Sequence, residues 1–363
     1  MDYPHLRDQN YLQFELKKKL TDILGKTGAK GLSVAVCGKT SRIAAASDGI
    51  ISAATCEPVT ENTVFWADGL AAPILAYAAF KLQEQGRLDL TAPLCRYLSE
   101  PFLPGDRDLP KVTGQMVLTH TAGLPMRKNP DGPTKLILPP GTYFSYSALG
   151  ILYLQRVMEQ ITGQDLQTYL QDTIFRPFRM ASTSLVWKED FTGRFAYPHD
   201  KKGKENHYIK AEKPNASRYF YTTPSDYCAF LNKLFAPQTS PKYCLSSESL
   251  AQLLLPCTSL YGNLHWARGI GAAEEKGSVR YWTFADQEGS KALAMIDPGA
   301  NIGICVLSNG NEGRKACEVL LRELTGTAFS PSLNYFGPSL KKAAWKAKGK
   351  LMQKKFAVER DKT

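Results

Sequence analysis

A serine followed three residues later by a lysine is one spacing that could support nucleophilic acyl transfer. One helical turn brings the hydroxyl and the amine to the same face, where the amine can accept the proton of the attacking hydroxyl. The chain contains this spacing once, from Ser339 to Lys342, inside a lysine-rich C-terminal segment. A pattern with only two fixed positions arises easily by chance, so we do not expect a nucleophile there.

Three further side chains have types that could take part in chemistry. Tyr146 and Ser147 are adjacent, but without a neighbouring base a phenol or hydroxyl is a weak nucleophile at neutral pH. His120 lies in the segment THTAGLP, whose glycine and proline indicate a loop. We interpret His120 as a structural loop histidine.

The cysteines and carboxylates do not indicate a metal site. None of the eight cysteines forms a CxxC pair, and no histidine and cysteine cluster has the spacing of zinc ligands. Asp68, Asp286 and Glu288 could converge on a cation, although solvated surface carboxylates are the simpler interpretation. We therefore predict no metal and no cofactor, with buried thiols in a reducing compartment.

The hydrophobic pattern predicts the elements that position these side chains. An amphipathic helix is predicted over residues 9–26, with apolar Leu12, Phe14, Leu16, Leu20, Ile23 and Leu24. Strands GLSVAVCG and SRIAAASDG follow, joined by a turn from Gly38 to Thr40. Helices are predicted at 73–86, 112–118, 147–162, 165–172 and 224–235, then strands VRYWTFA, KALAMIDP and IGICVLSNG and a closing helix RKACEVLLRELTG. Strands at both ends with helices between them predict an α+β fold.

Five segments, in order, resemble the serine hydrolases related to β-lactamases and penicillin-binding proteins. They are TENTVFWADGLAAPILAYAAFKLQEQGRLDLTAPLCRYL, VLTHTAGLP, PPGTYFSYSALGILYLQRVMEQITG, YFYTTPSDYCAFLNKLF and IDPGANIGICVLSNG. The resemblance covers about residues 30–325 and is nearest to the branch of class C β-lactamases, D-alanyl-D-alanine peptidases and esterases.

The resemblance implies a β-lactamase/transpeptidase-like fold, in which an antiparallel sheet flanked by helices carries an inserted all-helical region. It predicts a domain at 1–335 and a basic helical tail at 336–363. Within the domain, the sheet portion is expected at about 9–70 and 215–328. The helical portion is expected at about 71–214.

The catalytic motifs of that family are degenerate in this chain. Family members attack with the serine of S-x-x-K, use its lysine as the base and relay protons through the tyrosine of Y-x-N. In the ungapped register, S-x-x-K falls on GLAA, so Gly69 holds the nucleophile position and Ala72 holds the base position. Tyr146 keeps the family tyrosine, whereas Ala148 replaces the asparagine.

The third family motif, which closes the site, falls near YWTFAD. Phe284 and Asp286 stand at the places expected of histidine and glycine. The carboxylate of Asp286 would repel a substrate carboxylate. The candidate residues of the ligand cleft are Trp66, Asp68, Ser147, Ala148, Phe284 and Asp286.

The C-terminal tail carries most of the positive charge. From Lys341 to Thr363 there are nine basic and two acidic residues, a net of +7, which leaves +4 of the total +11 for the rest of the chain. The residues Leu340, Ala344, Ala347 and Leu351 recur at helical spacing, with Trp345 and Met352 beside them. This pattern predicts either a solvated extension or a basic amphipathic helix for an anionic membrane surface or an acidic partner. We do not expect nucleic-acid binding, because no recognised module accompanies the charge.

These observations favour a non-catalytic domain that binds a small-molecule or peptide ligand in the degenerate cleft. One alternative is a hydrolase or transferase with altered chemistry that uses Tyr146 in the same cleft. Another is a membrane-surface or assembly protein dominated by its tail. The N-terminus, MDYPHLRDQNYLQFELKKKL, lacks the pattern of a signal peptide, so we predict a cytoplasmic protein with a peripheral membrane contact as the alternative.

Overall fold

A computed structural model describes residues 9–38, 42–235, 242–275, 277–325 and 340–361. Lys39 and Thr40 of the predicted turn, and Ser339 of the S-x-x-K spacing, lie outside the described residues.

The helices and strands follow the predicted order closely. The helices are α1 (Gln9–Thr27), α2 (Ala71–Glu84), α3 (Gly114–Leu118), α4 (Ala148–Thr162), α5 (Leu166–Leu170), α6 (Pro224–Asn232), α7 (Ser247–Leu254), α8 (Gly313–Thr325) and α9 (Leu340–Asp361). The strands are β1 (Gly31–Cys37), β2 (Arg42–Gly49), β3 (Phe65–Trp66), β4 (Tyr221–Thr222), β5 (Thr258–Ser259), β6 (Leu264–Trp266), β7 (Gly271–Glu275), β8 (Ser278–Gln287), β9 (Ser290–Asp297) and β10 (Ile302–Ser308).

Within the described residues, one antiparallel sheet runs in the order β2-β1-β10-β9-β8-β7-β6-β5, and β3 pairs with β4 separately. Alternate residues of a strand point to opposite faces. Val34 and Val36 of β1 accordingly pack in the hydrophobic cluster that contains α1 and α8. Ala35 and Cys37 pack in the cluster that contains α2, α4 and α6. Helices thus cover both faces of the sheet, which confirms the α+β prediction.

Helix α1 shows where the hydrophobic pattern misleads. It buries Leu12, Leu16, Leu20 and Ile23, whereas Phe14 is 68% exposed. Each residue advances 100° around a helix, so Phe14 lies some 160° from both Leu12 and Leu16. The assignment of Phe14 to the apolar face was therefore wrong.

Helix α9 packs on the domain. The Trp345 and Tyr143 rings stack with their centroids 5.4 Å apart, and Phe356 is buried in the cluster that contains α2 and α4. The guanidinium of Arg360 forms a salt bridge of 3.0 Å with Asp106. These contacts fix the helix along much of its length.

The docked face of α9 is not the predicted apolar stripe. Trp345 and Phe356 point inward, with Gly349 against the Tyr143 ring. Leu351, assigned to the apolar face, is 55% exposed. The docked face follows the aromatic residues because they bury far more area than alanine. No helix among the described residues is both long and apolar enough to span a bilayer.

Candidate functional site

A cavity of about 410 Å³ lies where the start of α2, the start of α4 and the end of β8 meet. Its lining residues are Asp68, Gly69, Ala72, Met126, Tyr146, Ala148, Ile151, Ala216, Ser217, Phe284, Ala285, Asp286 and Gln287. The structure thus brings together the residues that the sequence predicts at the nucleophile and base positions, the tyrosine of the second motif and both residues of the third motif.

Gly69 lies in the 3₁₀ turn Asp68–Leu70, which leads directly into α2. Pairing of β7 with β8 ends at Trp282, and the next residue of β8, Thr283, donates from its hydroxyl to the Gly69 carbonyl at 3.2 Å. A Cβ on Gly69 would overlap the Phe284 carbonyl oxygen and lie 3.0 Å from the carbonyl carbon. Strand β8 therefore fills the space that any side chain at position 69 would need.

The chemistry at position 69 follows from this packing. A serine there would need strand β8 to move before its hydroxyl could be accommodated. Acyl transfer also requires hydrogen-bond donors aimed at the developing oxyanion. Beside Gly69 stands the carbonyl oxygen of Phe284, which is an acceptor and repels negative charge. Ala72, at the base position, lines the cavity with a methyl group that cannot accept a proton.

Asp68 is a lining residue whose carboxyl group is buried in the wall of the cavity. Its side chain is 5% exposed, accepts a hydrogen bond of 2.6 Å from the Gly69 amide and accepts another from the Gln287 amide. Burial raises the pKa of the Asp68 carboxyl to about 7, because loss of solvent penalises the charged form more than these hydrogen bonds favour it. The wall of the cavity thus contains a carboxyl group that exchanges a proton near neutral pH.

Asp286 lines the cavity, and two nearby cations compensate its negative charge. Lys291 Nζ lies 2.6 Å from one Asp286 oxygen, and Arg314 Nη1 lies 3.7 Å from the other. The expectation that Asp286 makes the cleft repel anions was therefore wrong, since two cations offset its charge. The same pairing disfavours convergence of Asp68, Asp286 and Glu288 on a metal ion.

His120 is a packing partner of Tyr146. Their ring centroids are 4.2 Å apart, and the backbone amide of Ser147 donates to His120 Nδ1 at 3.3 Å. Burial lowers the pKa of the His120 imidazole to about 3, so the ring is neutral at pH 7 with its proton on Nε2. His120 Nδ1 is already occupied by the Ser147 amide, and the imidazole ring packs against Tyr146. His120 therefore acts as a structural support for the cavity wall that carries Tyr146.

Ser147 and Trp66 lie outside the described lining of the cavity. The Ser147 hydroxyl caps α4 by accepting from the Gly150 amide at 2.9 Å and donates to the Pro125 carbonyl at 2.7 Å. The Trp66 indole donates to the Arg218 carbonyl at 2.9 Å and packs in a separate aromatic cluster. Their inclusion among the cleft candidates is corrected accordingly: Ser147 is committed to capping, and Trp66 faces other aromatic rings.

Several lining residues carried no signal in the sequence. Gln287 bonds to Asp68 across more than 200 residues of chain, and no local pattern predicts that pairing. Ala216 and Ser217 precede the segment YFYTTPSDY but belong to none of the motifs. Met126 follows the THTAGLP loop, and its position could have been inferred from the loop motif.

A family model described as Beta-lactamase matches residues 16–324. The chain belongs to the β-lactamase family. Among curated members of the family, it is 29% identical to the esterase EstB of Burkholderia gladioli over 185 residues, which are 42% of this chain and 46% of the esterase. The chain thus spans about half the length of that relative.

Two longer matches extend over most of the chain. Penicillin-binding protein 4 of Amycolatopsis lactamdurans is 23% identical over 309 residues, 77% of this chain and 81% of that protein. A solved class C β-lactamase superposes with a TM-score of 0.76 at 19% identity, covering 88% of this chain and 98% of the β-lactamase. The structural match confirms the predicted β-lactamase/transpeptidase-like fold.

Proposed function

We propose that this β-lactamase-family domain binds a small-molecule or peptide ligand in the cavity beside Gly69 without forming an acyl-enzyme. The observation that carries the proposal is the overlap between the Phe284 carbonyl and any Cβ at position 69. Loss of nucleophile and base typically costs an acyl-transfer enzyme several orders of magnitude in rate. The cavity itself persists, with a volume in the range of small-molecule sites.

The lining supports a ligand with both apolar and polar groups. Met126, Ile151 and Phe284 offer apolar surface, and Tyr146 and Gln287 offer polar groups.

A larger side chain at position 72 would fill the cavity. Ala72→Leu is therefore expected to abolish the rise in melting temperature that small-molecule fragments cause when they bind to the wild type. The exposed Ala357→Leu is the matched control and should keep the response. A fragment library without any hit that depends on Ala72 would contradict the ligand-binding role.

The second candidate function is hydrolysis of esters or amides with altered chemistry through Tyr146. It is favoured by the position of Tyr146 in the cavity wall and by the match to an esterase over part of the chain. Tyr146→Phe removes only the phenol hydroxyl and leaves the ring that packs on His120.

The two candidates are separated by turnover of p-nitrophenyl butyrate and nitrocefin. We expect the wild-type protein and the Tyr146→Phe variant to give the rate of buffer alone, because Gly69 and Ala72 supply neither the hydroxyl nor the amine that acyl transfer in this family uses. Turnover that Tyr146→Phe abolishes and the control Tyr243→Phe retains would replace the first proposal with the second. Tyr243 is a suitable control because it is 39% exposed.

A further inference from the structure

The orientation of α9 is fixed by the face that docks on the domain. Trp345, Gly349, Phe356 and Arg360 recur at spacings of four, seven and four residues, so they share one side of the helix. Trp345 and Phe356 pack in hydrophobic clusters, and Arg360 Nη1 donates to the Leu136 carbonyl at 3.1 Å. The opposite side of α9 must therefore face away from the domain.

That outer side has an apolar centre. Leu351 and Val358 are 55% and 54% exposed, one above the other at a spacing of seven residues. Ala344 and Ala347 extend the same line toward the start of the helix and are also exposed. Together these four residues give the outer side of α9 a narrow apolar line.

Lysines flank this apolar line on both sides. At 100° per residue, Lys348 and Lys355 lie on one side of Leu351, and Lys350 and Lys354 lie on the other. All four are exposed, and within the described part of the chain no salt bridge joins them to a carboxylate. Their positive charge is therefore available to an external partner.

We propose that the outer face of α9, formed by Ala344, Ala347, Leu351 and Val358 with their flanking lysines, binds the anionic phospholipid surface of a bilayer. An apolar line bordered by lysines is the arrangement with which a helix lies in a membrane interface. The face presents no arginine, because Arg360, the arginine of α9, is turned inward to Asp106. Without exposed arginine or aromatic side chains, this face lacks the groups that most often read or stack on nucleic-acid bases.

The arrangement also predicts the strength of the contact. Alanine occupies half of the apolar line, so the hydrophobic contribution is small and the lysines dominate. Binding is then reversible and weakens as salt screens the lysines. The domain would rest against the membrane through α9, whose docked side stays on the Tyr143 loop.

The experiment is co-sedimentation of the full chain with vesicles. One set contains phosphatidylcholine alone, and the other contains equal amounts of phosphatidylcholine and phosphatidylserine. The test variant carries Lys348→Gln, Lys354→Gln and Lys355→Gln, and the matched control carries Lys201→Gln, Lys202→Gln and Lys204→Gln, which remove the same charge from an exposed loop of the domain. Circular dichroism melting checks that both variants remain folded.

We expect the wild type and the control to sediment only with the anionic vesicles. The test variant should lose about 100-fold in its partition coefficient, since each lysine near an anionic surface contributes about fivefold. Equal binding to both vesicle types, or an equal loss in the control, would overturn the proposal. Binding of duplex DNA through the same lysines without vesicle binding would overturn it in favour of nucleic acid.

Discussion

Replacement of Gly69 with alanine is expected to lower the free energy of unfolding by about 3 kcal/mol, the upper part of the range for overpacking in a close-packed interior. The added methyl group meets the Phe284 carbonyl and lies 3.3 Å from the Ala285 Cα. Both neighbours are backbone atoms of a strand held by β9, so they cannot rotate away as a side chain would. The measurement is denaturant unfolding of both proteins at pH 7.

Gly25→Ala is the matched control for this experiment. Gly25 lies within α1, and a Cβ built on it meets nothing within 4 Å. Alanine there should leave the protein unchanged or stabilise it by up to about 1 kcal/mol, because alanine is the better helix former. Equal effects at positions 25 and 69 would show that strand β8 does not restrict position 69, and would remove the structural argument against a serine there.

Replacement of Asp68 with asparagine is expected to change how stability depends on pH. The folded-state pKa of about 7 lies above the unfolded value of 3.8, so the folded protein binds the proton more tightly. Between these values the unfolded state has released the proton and the folded state keeps it, so the Asp68 contribution falls as pH rises. From pH 4.5 to pH 8, the free energy of unfolding of the Asp68→Asn variant should therefore rise by about 3 kcal/mol relative to that of the wild type.

The difference between the two proteins is the quantity to measure, because His120 acts in the opposite direction. Its folded-state pKa of about 3 lies below its ordinary value, so it favours the folded state more as pH rises toward 6.5. Both proteins share that contribution, and it cancels in the comparison. Asp200→Asn is a suitable control, since backbone hydrogen bonds lower the pKa of its carboxyl and leave it ionised above pH 4.5. A pH-independent difference for Asp68→Asn would mean that Asp68 is not buried as described.

The fold could be predicted because its signals are local. The periodicity of α1 and the apolar runs of β1, β9 and β10 lie within single segments of sequence. The alignment that assigns Gly69 and Ala72 to the nucleophile and base positions rests on the ordered motifs on either side of them, and it remains a prediction.

The errors concern pairings between distant segments. Compensation of Asp286 depends on Lys291 and on Arg314 in α8, and no spacing rule connects an aspartate in β8 to a helix that follows two strands later. The docked face of α9 likewise depended on Tyr143, which lies some 200 residues earlier. The spacing of residues in α9 alone predicted an apolar face of leucine and alanine. In the structure, the side of the helix that carries the aromatic residues packs on the domain instead.

The limits of the domain remain predictions. The matched family region, residues 16–324, lies within the predicted domain at 1–335. Helix α9 lies beyond that region, yet its Phe356 is buried against the domain. The described part of the tail therefore packs on the domain, although it is not part of the family match.

Intact-mass spectrometry of the wild-type protein tests the central claim most directly. The protein is incubated with benzylpenicillin or with a fluorophosphonate probe, and a class C β-lactamase treated in parallel shows that the reagents are active. We predict that this protein keeps its unmodified mass with both reagents, because neither Gly69 nor Ala72 can form or assist a covalent bond. A stoichiometric adduct on any residue of the cavity wall would contradict the account.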